Sequence, residues 1–413
     1  MQVENTIGAN SPNGQKYLGN KGLILLIAFL GTFIPMSTDL YLPALPGMTE
    51  NLHTTVNLMN LTLIMFFVFY SAAMLFWGPM SDKYGRKSVL IAGLALYVIA
   101  SFLGSQSATV YQLIASRILQ GIGGGAVTAV ETAIVKDVYA GRKRETVLAL
   151  VQTMVVIAPV IAPMLGAFLL SFVSWRGAFY LMTIFGLLGI VGALLFQETL
   201  STRLSGNIRQ TVSRLSVVLK NPGFSSLLLT FSLANMGMLG YIGVSSYIYV
   251  DGFGLSEQTY SYFFAANALI TMLGPLAYIH LSKRVKRKPI VTACLAMIVV
   301  GGLLICTVGQ MNPWLFALAV VPASIAGSML RPPSVNLMLE QQETDTGSAS
   351  SLIGSVSLLM GSMGMMIVSL GWANRIVALG TLNVLVGVTS SLLWAILSTK
   401  PFVKQLAPLP ETN

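Results

Sequence analysis

The chain has 413 residues, 54% hydrophobic and only 9% charged, with a formal net charge of +10. Soluble domains carry roughly 25% charged residues, so this composition excludes a soluble globular chain and points to a bilayer as its solvent. The positive charge would suit nucleic acid, but the basic residues are dispersed among short connections between apolar runs, so they read as topology signals and no nucleic-acid partner is expected.

The first twenty residues, MQVENTIGANSPNGQKYLGN, are polar, and no clear small-residue cleavage site follows the first apolar run, so no removed signal peptide is expected. About 20 residues cross a bilayer. Apolar runs of that order predict helices near 22–42, 58–80, 88–106, 110–134, 146–170 and 177–197, then 223–249, 258–281, 289–309, 313–333, 348–370 and 375–398. The longest internal polar connection, Glu198 to Gly223, divides these twelve spans into two sets of six. The expected organisation is a tail at 1–21, a six-helix half at 22–197, a linker at 198–222, a second half at 223–398 and a tail at 399–413. RKSVLIAGLAL (Arg86 to Leu96) aligns with RKPIVTACLAM (Arg287 to Met297) at an offset of 201 residues, as a repeated half with parallel topology requires. In that alignment Lys283 replaces Asp82. Lys and Arg crowd one set of loops, while only Arg176 and Arg375 fall in loops on the other side, which places both termini in the cytoplasm.

Cys294 and Cys306 are twelve residues apart on one predicted helix, ~18 Å, too far for a disulfide. His53 and His280 have no neighbouring ligands of metal-site spacing, so neither metal nor cofactor is expected.

Four stretches carry chemistry. GPMSDKYGRKSVL, Gly78 to Leu90, sets an acid, two glycines and a basic pair in a tight turn between spans two and three. It resembles the loop signature of the major facilitator superfamily through Gly78, Asp82, Gly85, Arg86 and Lys87. A carboxylate is favoured at a helix N-terminus by ~0.3–1 kcal/mol; Asp82 is therefore expected to dock on the cap-rich start of span eleven, Thr344 to Ser351, with Arg86 bridging to Asp137. Because Lys283 stands in for the acid, this clamp should be one-sided. ASRILQGIGGGAVTAVETAIVKD puts Arg117 inside an apolar span and resembles the family's fourth-helix motif. Its glycines, 121 and 123 to 125, suit close helix packing, since no Lys-Ser/Thr phosphate-loop ending follows. APVIAPMLGAFLL carries Pro159, Pro163 and Gly166 in span five, which predicts a bend, and resembles the fifth-helix motif of drug antiporters with two of its glycines replaced by alanines. TDLYLPALP, from Thr38, with WRGAF (Trp175 to Phe179) and ETL (Glu198 to Leu200), resembles the twelve-span drug:proton antiporters of the bicyclomycin and chloramphenicol resistance group.

That resemblance implies an all-helical transporter of the bacterial inner membrane, with two pseudo-symmetric six-helix halves that rock around a midplane cavity. Asp39 and Arg117 have compatible depths, so they are expected to pair, since intramembrane charges usually pair or line a water-filled path. Glu131 shares the Arg117 face of span four with Gln120; it reads as a cavity acid, as a solvated helix-end carboxylate or as the partner of a loop cation. Proton coupling is expected at Asp39, Arg117 and Glu131. Expected cavity residues are Tyr41, Met65, Phe66, Tyr70, Gln120, Met154, Asn235, Tyr241, Phe263, Phe264 and Asn267, although Met and aromatic residues at helical spacing also serve ordinary packing. The expected function is proton-coupled efflux of moderately apolar or cationic small molecules by a monomer. Export of one metabolite, such as a sugar or amino acid, is the alternative. An intramembrane enzyme would need a nucleophile with its base, or a metal cluster, and the sequence offers neither.

Overall fold

A computed structural model describes residues 15–200, 215–342 and 346–404. Twelve helices there are long and apolar enough to span a membrane: α1 (Gly19–Asn51), α2 (Val56–Tyr84), α3 (Arg86–Ser105), α4 (Val110–Val138), α5 (Thr146–Leu170), α6 (Arg176–Leu195), α7 (Pro222–Gly252), α8 (Glu257–Leu281), α9 (Arg287–Cys306), α10 (Pro313–Glu340), α11 (Gly347–Ser369) and α12 (Arg375–Leu397). They form two six-helix halves in the expected order. One end of the bundle carries Lys83, Arg86, Lys87, Lys136, Lys220 and the group Lys283 to Lys288; we call it the basic end, and its opposite the far end. Arg203, Arg209, Arg214 and the tail from 405 lie outside the described residues.

Two helices depart from the expected runs, and proline chemistry accounts for both. α1 is broken rather than single: helices Gly19–Gly31 and Phe33–Asp39 are followed by a tight turn at Leu42–Ala44 and a last helix at Leu45–Asn51. Pro35 cannot donate to the Gly31 carbonyl, nor Pro43 and Pro46 to those of Asp39 and Leu42, so the ladder is interrupted at Thr32 and again just past Asp39. α10 was expected to end at 333, where Pro332 and Pro333 stand, yet it runs on to Glu340. Inside a bilayer, neighbouring helices and side chains stabilise a helix across such a gap, because exposed backbone has no water to turn to.

Three of the four α4 glycines do what their spacing suggests, while Gly124 makes only ordinary contact with the Tyr70 ring. A Cβ on Gly121 would strike the Phe66 carbonyl, one on Gly123 the backbone of Gly93 and Tyr97, and one on Gly125 the backbone of Tyr70. α4 therefore lies against both α2 and α3 at backbone contact. α5 runs through Pro159 and Pro163 as one helix, and Gly166 sits directly on the Leu40 carbonyl. The alanines at 162 and 167, which replace two glycines of the motif, have not cost the close approach.

Contacts between the halves are concentrated at the far end and at mid-depth. Asn60 donates to the Gly243 carbonyl at 3.0 Å and to Ser369 at 2.7 Å. Thr49 meets Tyr247 at 3.1 Å, and Gln258 reaches Ser171 at 3.0 Å. Ser71 and Ser355 exchange bonds with each other's carbonyls at mid-depth. The apolar core follows the same division. One core fills the first half and crosses into the far end of the second through Tyr241, Val244, Tyr247 and Phe316. A separate core, with Phe224, Ile290, Cys294, Leu337 and Trp394, occupies the basic end of the second half.

Candidate functional site

The far half of the first bundle holds a sealed polar centre around Arg117, whose side chain is fully buried. Its guanidinium donates to the Ser37 carbonyl at 2.9 Å, to Gln120 Oε1, and at 3.5 Å to the Thr62 carbonyl. The charge lies over the rings of Tyr41 at 4.7 Å and Phe66 at 4.4 Å. Phe66 in turn stacks on Tyr70, and Gln120 donates to Ser101 at 2.8 Å. Carbonyl dipoles and ring faces thus stabilise the cation where water cannot reach.

Asp39 is only 4% exposed and accepts the Thr38 hydroxyl at 2.9 Å. The expected Asp39–Arg117 ion pair is not formed. The break in α1 is the reason, since it presents the Ser37 carbonyl to the guanidinium in place of the carboxylate. Tyr41, Phe66 and Gln120, expected as cavity lining, are turned to holding Arg117. Glu131, in the basic half of α4, is also 4% exposed, with the Thr132 hydroxyl at 3.5 Å. That burial removes the solvated helix-end reading. Among the described residues, neither acid has a cationic partner.

A second network closes the turn at the basic end. Arg86 pairs with Asp82 at 2.6 Å and with Asp137 at 2.8 Å. Asp82 is thus engaged within its own half. The start of α11, which it was expected to meet, lies partly outside the described residues. Gly85 has φ +99°, where a side chain would be strained, and a Cβ there would strike the Glu198 carboxylate. Glu198 accepts the backbone N–H groups of Arg86 at 3.0 Å and Lys87 at 3.1 Å, capping α3, while Lys87 Nζ caps the end of α6 through the Leu194 carbonyl at 2.7 Å. Sequence reading noticed ETL as a resemblance but did not assign Glu198 this role. Glu198→Ala is expected to lower unfolding free energy by about 1–2 kcal/mol, measured by thermal unfolding in detergent. The second half repeats part of this network, since Arg287 meets Glu340 at 2.6 Å in the place of Arg86 and Asp137. The second half thus keeps the arginine–acid pair, with Lys283 where the first half has Asp82.

The sequence matches the Major Facilitator Superfamily over residues 27–365. The chain belongs to this superfamily. It is 30% identical over 356 residues to the MFS-type transporter YdgK of Bacillus subtilis, covering 84% of this chain and 87% of that one. Multidrug resistance protein MdtL of Klebsiella pneumoniae (strain 342) is 32% identical over 250 residues, 60% of this chain and 64% of the relative. The bicyclomycin resistance protein homolog of Haemophilus influenzae is 23% identical over 340 residues, 80% and 84% of the two chains. Among solved structures, a D-xylose-proton symporter superposes with a TM-score of 0.72 at 16% identity, covering 89% of this chain and 96% of that one, which shows the fold.

In this major facilitator chain the remaining expected lining residues divide by accessibility. Met65, Met154, Asn235 and Asn267 are partly accessible. Asn235 donates to the Ser357 carbonyl at 2.8 Å and ties α7 to α11. Asn267 Oδ1 is buried without a hydrogen-bond partner. Tyr241, Phe263 and Phe264 join an aromatic cluster, Tyr241 stacked on Phe264 at 6.0 Å and Phe263 on Tyr249 at 4.8 Å. Gly78 is partly buried, and a Cβ there would meet nothing within 4 Å.

Proposed function

We propose that the chain is a proton-coupled exporter of moderately apolar or cationic small molecules, working as a monomer by alternating access in a bacterial inner membrane with both termini in the cytoplasm. One observation carries the reading: Asp39 and Glu131 are buried acids without a cation, one in the far half and one in the basic half of the same bundle. An acid so placed is costly to keep charged within the membrane thickness and marks a proton or substrate path. The relatives named for multidrug and bicyclomycin resistance support export and a drug-like cargo. The basic loops support the orientation, because Lys and Arg favour the cytoplasmic side. Bonds between the halves at the far end, where those described at the basic end each run within one half, support an inward-opening arrangement.

In this reading, far-side closure shields Asp39 while cargo enters from the basic end. Rocking of the halves then exchanges which acid meets water, and cargo and proton are linked because each binds the two arrangements unequally. The test is flux of a cationic dye into inside-out vesicles under an imposed pH gradient, acid inside. Uptake that collapses when the gradient is dissipated is expected; uptake indifferent to the gradient would overturn proton coupling, and no uptake of any of a panel of apolar and cationic dyes would overturn export.

A further inference from the structure

Arg331 stands inside α10, nine residues and ~13 Å before its basic end. Sequence reading did not single it out, although an arginine in an apolar run, followed by Pro332 and Pro333, is a visible signal. The other arginines of the spans are engaged: Arg86 and Arg287 with acids, Arg117 with carbonyls and rings, Arg176 with the Ser107 carbonyl, and Arg375 with Asp251 at 3.9 Å. The Arg331 guanidinium has no hydrogen-bond, ion-pair or ring partner among the described residues, and the residue is exposed.

Helical phase decides what it is exposed to. At 100° per residue, Arg331 points about 60° from Phe316 on one side and about 60° from Ser328 on the other. Phe316 touches Tyr241 and Tyr249 of α7, and Ser328 faces Gly274 of α8. Arg331 therefore looks into the gap between α7 and α8. Leu318, 65% exposed, lies about 140° away on the outer side of α10. Gly327, one turn before Arg331, opens onto empty space. The 201-residue repeat maps Arg331 to position 130, beside Glu131, so the two halves place an acid and a base at matching depth.

We propose that Arg331 anchors an acidic group of the cargo, a carboxylate or its equivalent on an apolar or amphoteric body. An isolated cation at such depth costs ~2.5–3.5 kcal/mol on insertion scales, a cost sustained where it faces a water-filled path and serves binding. Its planar fork of donors matches a carboxylate in two parallel bonds. This rests on the transporter reading and narrows its cargo.

The test uses rhodamine B, with a free carboxylate, and its ethyl ester, with the same body and none. Fluorescence anisotropy with detergent-purified protein gives the affinity of each dye for wild type, Arg331→Gln and Arg331→Lys. Arg331→Gln should weaken rhodamine B by about tenfold and the ester by less than about twofold, with Arg331→Lys between. Equal weakening of both dyes, no weakening of either, or failure of wild type to bind rhodamine B would overturn the proposal. Efflux in inside-out vesicles separates the two ideas. Selective binding without flux of either dye would overturn export and leave the Arg331 anchor standing.

Discussion

Asp39→Asn is expected to lower gradient-driven efflux more than about tenfold while leaving the folded protein intact. Asparagine has nearly the same shape, and its side-chain oxygen still accepts the Thr38 hydroxyl that Asp39 accepts at 2.9 Å. No cation loses a partner, because Arg117 is held elsewhere. What asparagine cannot do is release and regain a proton, so coupling should be lost with little change in unfolding temperature. The checking measurement is ligand-induced proton release from detergent-purified protein. Equal release from wild type and variant would show that another group carries the proton, with Glu131 the first to test by Glu131→Gln.

The second large effect belongs to Arg117→Lys, expected to lower unfolding free energy by about 3 kcal/mol and to impair transport. A lysine carries the same charge but cannot serve the Ser37 and Thr62 carbonyls and Gln120 together, nor lie flat between the Tyr41 and Phe66 rings. Chemical unfolding in detergent reads the loss. A double-mutant cycle of Asp39→Asn with Arg117→Gln, which removes the charge that lysine keeps, sharpens the point. Breaking a buried ion pair typically costs ~3–5 kcal/mol, whereas neighbours without one should couple by less than about 1 kcal/mol. A coupling in the ion-pair range would restore the direct Asp39–Arg117 pairing that the geometry denies.

The fold was largely legible because membrane spans announce themselves by length and apolarity, and the two-residue repeat signature RK at 86 and 287 betrayed the halves. Backbone contacts were legible in α4, whose glycines have small-residue spacing; that of Gly166 with the Leu40 carbonyl was not, because alanines replace two glycines of its motif. Pairing was not. Depth placed Asp39 and Arg117 at one level, but the break at Pro43 and Pro46 decided which oxygen reached the guanidinium, and depth arithmetic on a straight helix contains no such term. Tyr41, Phe66 and Gln120 were misassigned for the same reason, because helical phase names a face without saying what occupies the space in front of it. Glu198 escaped because its partners, the N–H groups of Arg86 and Lys87, are distant in sequence and carry no side-chain signature.

The paired prolines of α10 have a mechanical consequence. Neither Pro332 nor Pro333 can donate to the carbonyls of Ser328 and Met329, so two successive rungs of the ladder are missing within one helix. On the far side of that gap, α10 is wedged against Gly274 and Gly301; on the other side, Glu340 is tethered to Arg287 at the head of α9. Pro322 removes a single further rung higher up, so the adjacent pair marks the most compliant joint of the helix, between a longer and a shorter rod, and Arg331 sits at that joint. A small swing of the shorter rod would carry the guanidinium through an arc while the longer rod stays seated, so the stiffness of one helix, and not only the tilt of whole halves, sets how far this charge can travel.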